Sequence, residues 1–541
     1  MVKSVKSSTG RILRPRQTLG KEIVSMSPDT ILLRGWPAFY WTLGAGLVMS
    51  LGYRPYGHWS FTVLGLAAYF AAIRNRSAKS VFVISLLFVF AWCGTLWWWV
   101  GHSVGLVSVW LLLTSIEAVL VGFGMSATAL WRNRLKPWME PFLYAFLWIG
   151  WEQIRASFPL SGFAWLTTAV GGVDGPWSFA IHWLGEVGTG IVIALLSWLV
   201  SRLFTRDTAS LWRLNAVAVS ALLLLSSFIL PGPAAPVAAQ HLRVGVVQGG
   251  VAPPWQRSFA NPGEVTKDAM TIIKASLDRG DKLDFYLMGE TAYDRDPRVN
   301  GVTAELLRRA TEGTNIPVVG GTNRYYRQGD VLVRANEIFI SRGGRSIDTP
   351  EGGASVIYDK QIPVPYGEYI PLKSISLVLA PQLQEYIIDV IPGEGAPILD
   401  VPLDENKVRL AVGLCYEVAY ARHMARGVKD GGELLYVPTN NTSFLNSDNS
   451  YQQLQILRLR AIESQRWGVQ ASINGISAVV DATGRVVGQT ELNRSGFLAE
   501  DVGRYQHLTF AVKSAGIQYW LIVGLGLACW IAGVWSRKNG F

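Results

Sequence analysis

VRLAVGLCYEVAYARHMARGVKDGGELLYVPTN, residues 408–440, decides how the polar part of this chain is read. VRLAVGLC (408–415) is a buried-strand pattern that ends in a cysteine, EVAYARHMARGVKDG (417–431) has helical spacing closed by glycine, and ELLYVPTN (433–440) returns as a strand. Strand, helix and strand in succession predict a layered α/β domain. The pattern continues outward on both sides. LRVGVVQ (242–248), DFYLMGE (284–290) and IPVVGGT (316–322) read as strands, and VTKDAMTIIKASLD (265–278) and TAELLRRATEG (303–313) as helices. EIFIS (337–341) and ASVIYDKQ (354–361) read as paired strands. LQILRLRAIESQRW (454–467) reads as a helix, and VQASINGISAVVDATGRVVGQT (469–490) as a hairpin around Ala-Thr-Gly.

Outside residues 241–512 the composition changes. The chain has 541 residues, 50% hydrophobic and only 16% charged, where a soluble protein carries about 25% charged residues. Apolar runs lie at 36–53, 57–73, 80–100, 105–131, 139–157, 177–201 and 213–231, with an eighth at 515–535. A membrane-crossing helix needs about 20 mostly apolar residues, so about eight transmembrane helices are expected. The flanks carry 21 Lys/Arg against 8 Asp/Glu, and the middle 28 against 31. The positive charge falls in short segments between apolar runs, which is the pattern of membrane topology and argues against a nucleic-acid partner. One side of the expected membrane collects 18 basic residues, including the tail before residue 36; the other has Arg54, Arg155 and Lys513. Both termini are therefore expected in the cytoplasm and residues 232–513 outside it. Domain limits follow: a basic tail at 1–35, a seven-helix domain at 36–231, a Pro/Ala connector at 232–240, the α/β domain at 241–512, and a last helix with its tail at 513–541. Glu117, Glu152, His182 and Glu186 fall inside apolar runs, where an ionisable group faces either a bundle interior or the headgroup level.

Glu290, Lys360 and Cys415 each follow a strand, and strand ends of α/β sheets are where reactive groups gather. A cysteine at a strand-to-helix turn has helix N-terminal amides to stabilise a thiolate. A carboxylate can take its proton and a lysine can stabilise an oxyanion. On residue type alone the commoner reading of such positions is a small buried cysteine and two solvated strand-end charges. With three cysteines in all, a disulfide scaffold and a cysteine-rich zinc site are excluded, and no metal is expected.

The flanking residues narrow the choice. MGETAY around Glu290, YDKQIPVPYGEYIP around Lys360 and GLCYE around Cys415 resemble, in order and spacing, the Glu-Lys-Cys triad of the nitrilase, or carbon–nitrogen hydrolase, superfamily. PVPYGEYIP and CYE, the segment LQILRLRAIESQRWGVQASINGISAVVDATGRV, and SGFAWL (161–166) in the apolar part are similar to one branch, the apolipoprotein N-acyltransferases. The resemblance implies a polytopic α-helical membrane domain joined to an extracytoplasmic nitrilase-like αββα sandwich. It implies that Glu290 is the general base, that Lys360 and the backbone N–H of Tyr416 stabilise the oxyanion, and that Cys415 carries a thioester. It assigns Glu368 and Glu417 auxiliary places beside the triad, and Trp255 and Tyr366 places near the substrate.

The implied reaction moves an acyl chain from a glycerophospholipid, through Cys415, to the α-amine of the N-terminal S-diacylglyceryl cysteine of an apolipoprotein. The implied setting is the bacterial inner membrane, multi-pass, with the catalytic domain in the periplasm, as a monomer and without a cofactor. Around the site the sequence departs from the family pattern at Met288-Gly289, at Thr439-Asn440-Asn441-Thr442-Ser443-Phe444 and at Gln452-Gln453. These departures keep open a divergent membrane paralogue with another acyl acceptor, an amidase, or a role associated with conjugal transfer.

Overall fold

The structure is a computed structural model. It describes residues 36–204 and 235–538, apart from 253–254, 348–355, 380, 382, 405 and 445, with isolated positions within 214–225. The basic tail, most of the apolar run 213–231 and the start of the connector lie outside the described residues. Between residues 36 and 204 the chain forms helices α1 (Trp36–Ser50), α2 (Trp59–Ile73), α3 (Ala78–Val89), α4 (Trp99–Val104), α5 (Val107–Met125), α6 (Glu140–Arg155), α7 (Thr168–Gly171) and α8 (Ile181–Ser201). In the polar part follow α9 (Trp255–Ala260), α10 (Glu264–Asp278), α11 (Gly301–Ala310), α12 (Lys373–Leu379), α13 (Leu383–Tyr386), α14 (Ala421–Lys429) and α15 (Asn449–Ser464). The chain's last helix is α16 (Phe510–Lys538). Among the described residues three helical stretches are long and apolar enough to cross a membrane: Val107–Ala129, Ser178–Phe204 and Phe510–Arg537, of 23, 27 and 28 residues. Trp59–Ile73 and Ala78–Gly94 are shorter apolar helices.

Charge counting put Arg155 in an outer connection, and the structure corrects this. Arg155 is the last residue of α6 and is 1% exposed. Its guanidinium lies 3.5 Å from Glu117 and 4.0 Å from Glu152, donates to the Phe163 carbonyl at 3.1 Å, and sits over the rings of Trp92 and Trp97. Two carboxylates buried among apolar helices need a cation, and the inward turn of Arg155 supplies it.

The polar part is built on two sheets. The first takes β1 (Gln240–Gln248), β2 (Phe285–Met288), β3 (Val318–Gln328), β4 (Val331–Arg342), β5 (Arg345–Ser346), β6 (Ile357–Asp359) and β13 (Gly496–Arg504), in the order β13-β1-β2-β3-β4-β5 with β6 also on β4. The second takes β7 (Ile398–Pro402), β8 (Lys407–Val412), β9 (Leu434–Thr439), β10 (Gly468–Ser472), β11 (Ala478–Val480) and β12 (Val486–Gln489), in the order β12-β11-β10-β9-β8-β7. Alternating apolar residues explain the packing. Val244, Val246, Leu287 and Ile338 of the first sheet bury against Val408, Leu410, Tyr436 and Val469 of the second. The opposite face of the first sheet buries Tyr286, Val318 and Phe339 under α10 and α11. The outer face of the second buries Ala411 and Leu435 under Met424 and Val428 of α14 and Leu457 of α15. The result is helix, sheet, sheet, helix.

That last helical layer does not end at solvent. Its apolar cluster runs on into the residues of α1–α8. Polar side chains of α15 stitch the join. Gln452 accepts from the indoles of Trp99 and Trp165 at 3.2 and 3.0 Å and donates to the Leu96 carbonyl at 3.1 Å. Gln455 donates to the carbonyls of Gly52 and Val170 and accepts from the Arg54 N–H. Arg460, 1% exposed, pairs with Glu186 of α8 and Glu463 of its own helix, and also donates to the carbonyls of Val418 and Ala419.

Removing Arg460 leaves two buried carboxylates facing each other. Arg460→Ala is therefore expected to cost about 3–5 kcal/mol of stability, with Arg460→Lys falling between it and the parent. Thermal unfolding of the detergent-solubilised full chain measures this, and an unchanged transition would contradict the pairing.

Candidate active site

Three strand ends converge at one edge of the sandwich. Beyond β8 the chain passes Gly413 and Leu414 and reaches Cys415, whose φ of 53° lies in the left-handed region. A non-glycine residue holds that conformation only when its surroundings dictate it. They do so through Glu417, fully buried at 0% exposure. One carboxylate oxygen accepts from the Leu414 N–H at 2.8 Å and the Tyr358 hydroxyl at 2.6 Å. The other accepts from the N–H groups of Gln361 and Ile362 at 2.6 and 2.9 Å. Glu417 thus clamps the turn of Cys415 to the segment that follows Lys360. This changes the expected helix. Residues Cys415–Ala419 form a 3₁₀ turn and α14 begins only at Ala421, because the Glu417 carboxylate, and not a helix start, organises the backbone here. The thiolate stabilisation expected from helix N-terminal amides is replaced by side-chain groups.

Lys360 directly follows β6 and is 1% exposed. Its ammonium lies 2.8 Å from Glu368 Oε1 and 3.5 Å from Glu290 Oε1. Glu290, 5% exposed, sits two residues beyond β2, and its Oε2 accepts from the Asn440 N–H at 3.0 Å. Gly289 makes this placement possible. A Cβ there would meet the Ile473 nitrogen at 2.5 Å and the Thr439 carbonyl at 2.8 Å, so only glycine lets the end of β2 press against the ends of β9 and β10. Glu368 Oε2 accepts from the Val364 N–H at 2.8 Å, which closes the loop that carries it.

Two residues were missed by the sequence reading. Asn336 on β4 points its amide nitrogen at both carboxylates, at 2.5 Å from Glu290 Oε1 and 3.1 Å from Glu368 Oε1. The signal available was a polar Asn-Glu pair opening the apolar run EIFIS. Thr439, last residue of β9, places Oγ1 3.2 Å from Cys415 Sγ.

Of the other expected residues, Tyr416 faces the apolar part of the chain. Its ring stacks on Phe163 and Trp165, with centroids 5.8 and 6.2 Å away, and its hydroxyl donates to the Gly162 carbonyl at 3.0 Å. SGFAWL is therefore the surface on which the turn of Cys415 rests. Tyr366 has its hydroxyl 3.2 Å from Ser376 of α12, and its described contacts stay within that loop. Trp255 opens α9.

The charges are strongly coupled. Burial raises Glu290 above the usual carboxylate range despite the nearby Lys360. Burial opposes the charge on Lys360, but Glu290 and Glu368 outweigh it and hold the ammonium protonated. Burial likewise works against the Glu368 charge, yet Lys360 and then Arg334 hold its carboxyl below the usual range. Burial and the charge of Glu290 push the Cys415 thiol up to about 12, against the pull of Lys360 and the Thr439 hydrogen bond. A protonated thiol near a carboxylate of raised basicity and a fixed ammonium is an arrangement capable of acyl transfer, since such a carboxylate can take a thiol proton and such a cation can receive an oxyanion.

Comparison with known proteins adds to this geometry. Residues 45–199 match the apolipoprotein N-acyltransferase N-terminal domain, and residues 283–504, which hold Glu290, Lys360 and Cys415, match the carbon-nitrogen hydrolase model. An apolipoprotein N-acyltransferase of Pseudomonas putida is 28% identical over 501 residues, covering 88% of this chain and 92% of that one. One from Pseudomonas aeruginosa is 28% identical over 526 residues, covering 91% and 94%. Among solved structures, an amidase from Nesterenkonia sp. is 16% identical, with a TM-score of 0.36, over 53% of this chain and 100% of that one.

The coupled charges set a pH dependence. Modification of Cys415 by a neutral alkylating reagent is expected to accelerate as pH rises, with a first step at an apparent pKa above the ordinary carboxylate range, where the raised Glu290 becomes available as base. In Glu290→Gln that step should vanish, leaving only the rise at strongly alkaline pH as the thiol itself ionises. Site-resolved mass spectrometry over a pH series reads both, and a first step that survives in Glu290→Gln would exclude Glu290 as the base.

Proposed function

We propose that the chain acts as an apolipoprotein N-acyltransferase, transferring an acyl chain from a glycerophospholipid to the N-terminal amine of a diacylated apolipoprotein by way of Cys415. Cys415 attacks the carbonyl carbon of the phospholipid ester while Glu290 takes the thiol proton. The tetrahedral oxyanion rests on the Lys360 ammonium and the Tyr416 backbone N–H. The C–O bond breaks, Glu290 protonates the leaving alkoxide, and lysophospholipid departs from a Cys415 thioester. In the second half the α-amine of the S-diacylglyceryl cysteine attacks the thioester carbonyl and Glu290 accepts the amine proton. The C–S bond breaks, the amide product leaves, and the proton returns to sulfur. Glu368 and Asn336 act through others: Glu368 anchors the ammonium, and Asn336 holds the two carboxylates apart at fixed spacing.

The observation that carries this reading is the convergence of a nucleophile, a base and a cation beside a turn seated on SGFAWL of the apolar domain. Both proposed substrates are lipids. A site held at the membrane surface leaves their chains in the bilayer and avoids an extraction cost of about 0.8 kcal/mol per CH₂. The layout that goes with it is eight spans at the apolar runs and a bacterial inner membrane. Both termini are cytoplasmic, and residues 241–512 lie in the periplasm with the protein a monomer. Exposed Ile517, Trp520, Leu521, Ile531 and Trp535 on α16 suit a lipid-facing helix.

Incubated with phospholipid alone, the full-length protein should gain the mass of one acyl chain, removable by hydroxylamine and absent from Cys415→Ala. Lys360→Met should slow adduct formation by about 10²–10³-fold, as loss of an oxyanion donor does. Addition of a diacylated lipopeptide should discharge the adduct into a triacylated product. No adduct under these conditions would overturn the thioester route, and an adduct that the lipopeptide cannot discharge would overturn the assigned acceptor.

A further inference from the structure

Cys415 needs its thiolate only for the instant of attack, and Lys360 is spoken for by two carboxylates. The sulfur therefore faces a shortage of donors, and one side chain is arranged to relieve it. Thr439 is fully buried, and its Oγ1 has three acceptors within reach: Cys415 Sγ at 3.2 Å, Asn441 Oδ1 at 3.1 Å and Gln453 Oε1 at 3.1 Å. It has one hydrogen to give them. The amides are held with their oxygens toward Thr439. Gln453 Nε2 donates to the Cys415 carbonyl at 3.0 Å, and Asn441 Nδ2 donates to Ser450 Oγ at 2.9 Å and Gln453 Oε1 at 3.1 Å. Gln453 Oε1 therefore keeps a donor even when the Thr439 hydroxyl turns away.

We propose that Thr439 is a catalytic donor to the sulfur: its hydroxyl hydrogen turns from the two amide carbonyls onto Sγ as the thiol proton passes to Glu290. A thiolate is a stronger acceptor than a neutral amide oxygen, so the swing follows the charge. The same hydroxyl returns to the amides once sulfur is acylated and neutral. Gln453 has a second part, fixing the Cys415 carbonyl so that the left-handed turn keeps Sγ within the hydroxyl's range. This rests on the reading of Cys415 as nucleophile and adds to it the group that steadies its charge.

The test is the rate at which iodoacetamide modifies Cys415 in the full-length, detergent-solubilised protein, followed site by site by mass spectrometry so that Cys93 and Cys529 do not contribute. In Thr439→Val, which keeps the volume and loses the donor, modification should be about tenfold slower than in the parent across neutral and mildly alkaline pH, equivalent to about one pH unit on the thiol. Thr439→Ser should restore the parent rate, and Thr439→Ala, read in its place if the valine variant fails to fold, should show the same roughly tenfold slowing. A folded Val or Ala variant with the parent profile, or a Ser variant as slow as Val, would overturn the proposal, the latter by assigning the effect to the methyl group. No phospholipid is present, so failure of acyl transfer would count against the proposed reaction and leave this result standing.

Discussion

One buried carboxylate, that of Glu417, holds the reactive corner together. It belongs to the turn of Cys415, yet half of its hydrogen bonds run to backbone N–H groups just past Lys360. A carboxylate removed from water is tolerated only when donors surround it, and here three amides and a tyrosine hydroxyl do so. The consequence is geometric. Cys415 rides on the second sheet and Lys360 on the first, and between the two sheets lies a core of non-directional apolar packing. Glu417 turns that packing into a fixed register between sulfur and ammonium.

Glu290 reaches the same corner by a different device, the missing side chain of Gly289, which lets β2 end against β9 and β10. Around the three groups stands a layer of neutral amides: Asn336 between the carboxylates, the Asn440 backbone on Glu290, and Gln453 on the cysteine carbonyl. Neutral donors suit this place. They fix charged groups without adding charge, so the balance between Glu290, Glu368 and Lys360 is left intact.

Much of this was legible in the sequence, for physical reasons. Strands such as 242–248 and 408–415 declare themselves because both faces are buried, and Glu290, Lys360 and Cys415 stand out as polar or reactive residues at the ends of such runs. What stayed hidden depends on contacts distant in the chain. Asn336 lies in mid-strand, and its function comes from carboxylates 46 and 32 residues away. The spacing after Cys415 fits a helix, and only the long-range bonds of Glu417 explain why a 3₁₀ turn forms first. Arg155 misled the charge count because counting treats every basic residue at the end of an apolar run as solvated, whereas this one closes a buried triad with Glu117 and Glu152.

The seam along α15 carries a consequence for how the chain is divided. Composition draws a border near residue 240, and by that measure the protein has a greasy half and a watery half. The packing ignores that border. The layer beneath the second sheet shares one apolar cluster with the helices of the first 200 residues, and Gln452, Gln455 and Arg460 spend their hydrogen bonds across the join. Neither half has a finished surface of its own there. Severed at the connector, each would bare an oily floor studded with orphaned amides and charges. The two halves are modules of composition only, and for cooperative folding they form a single body.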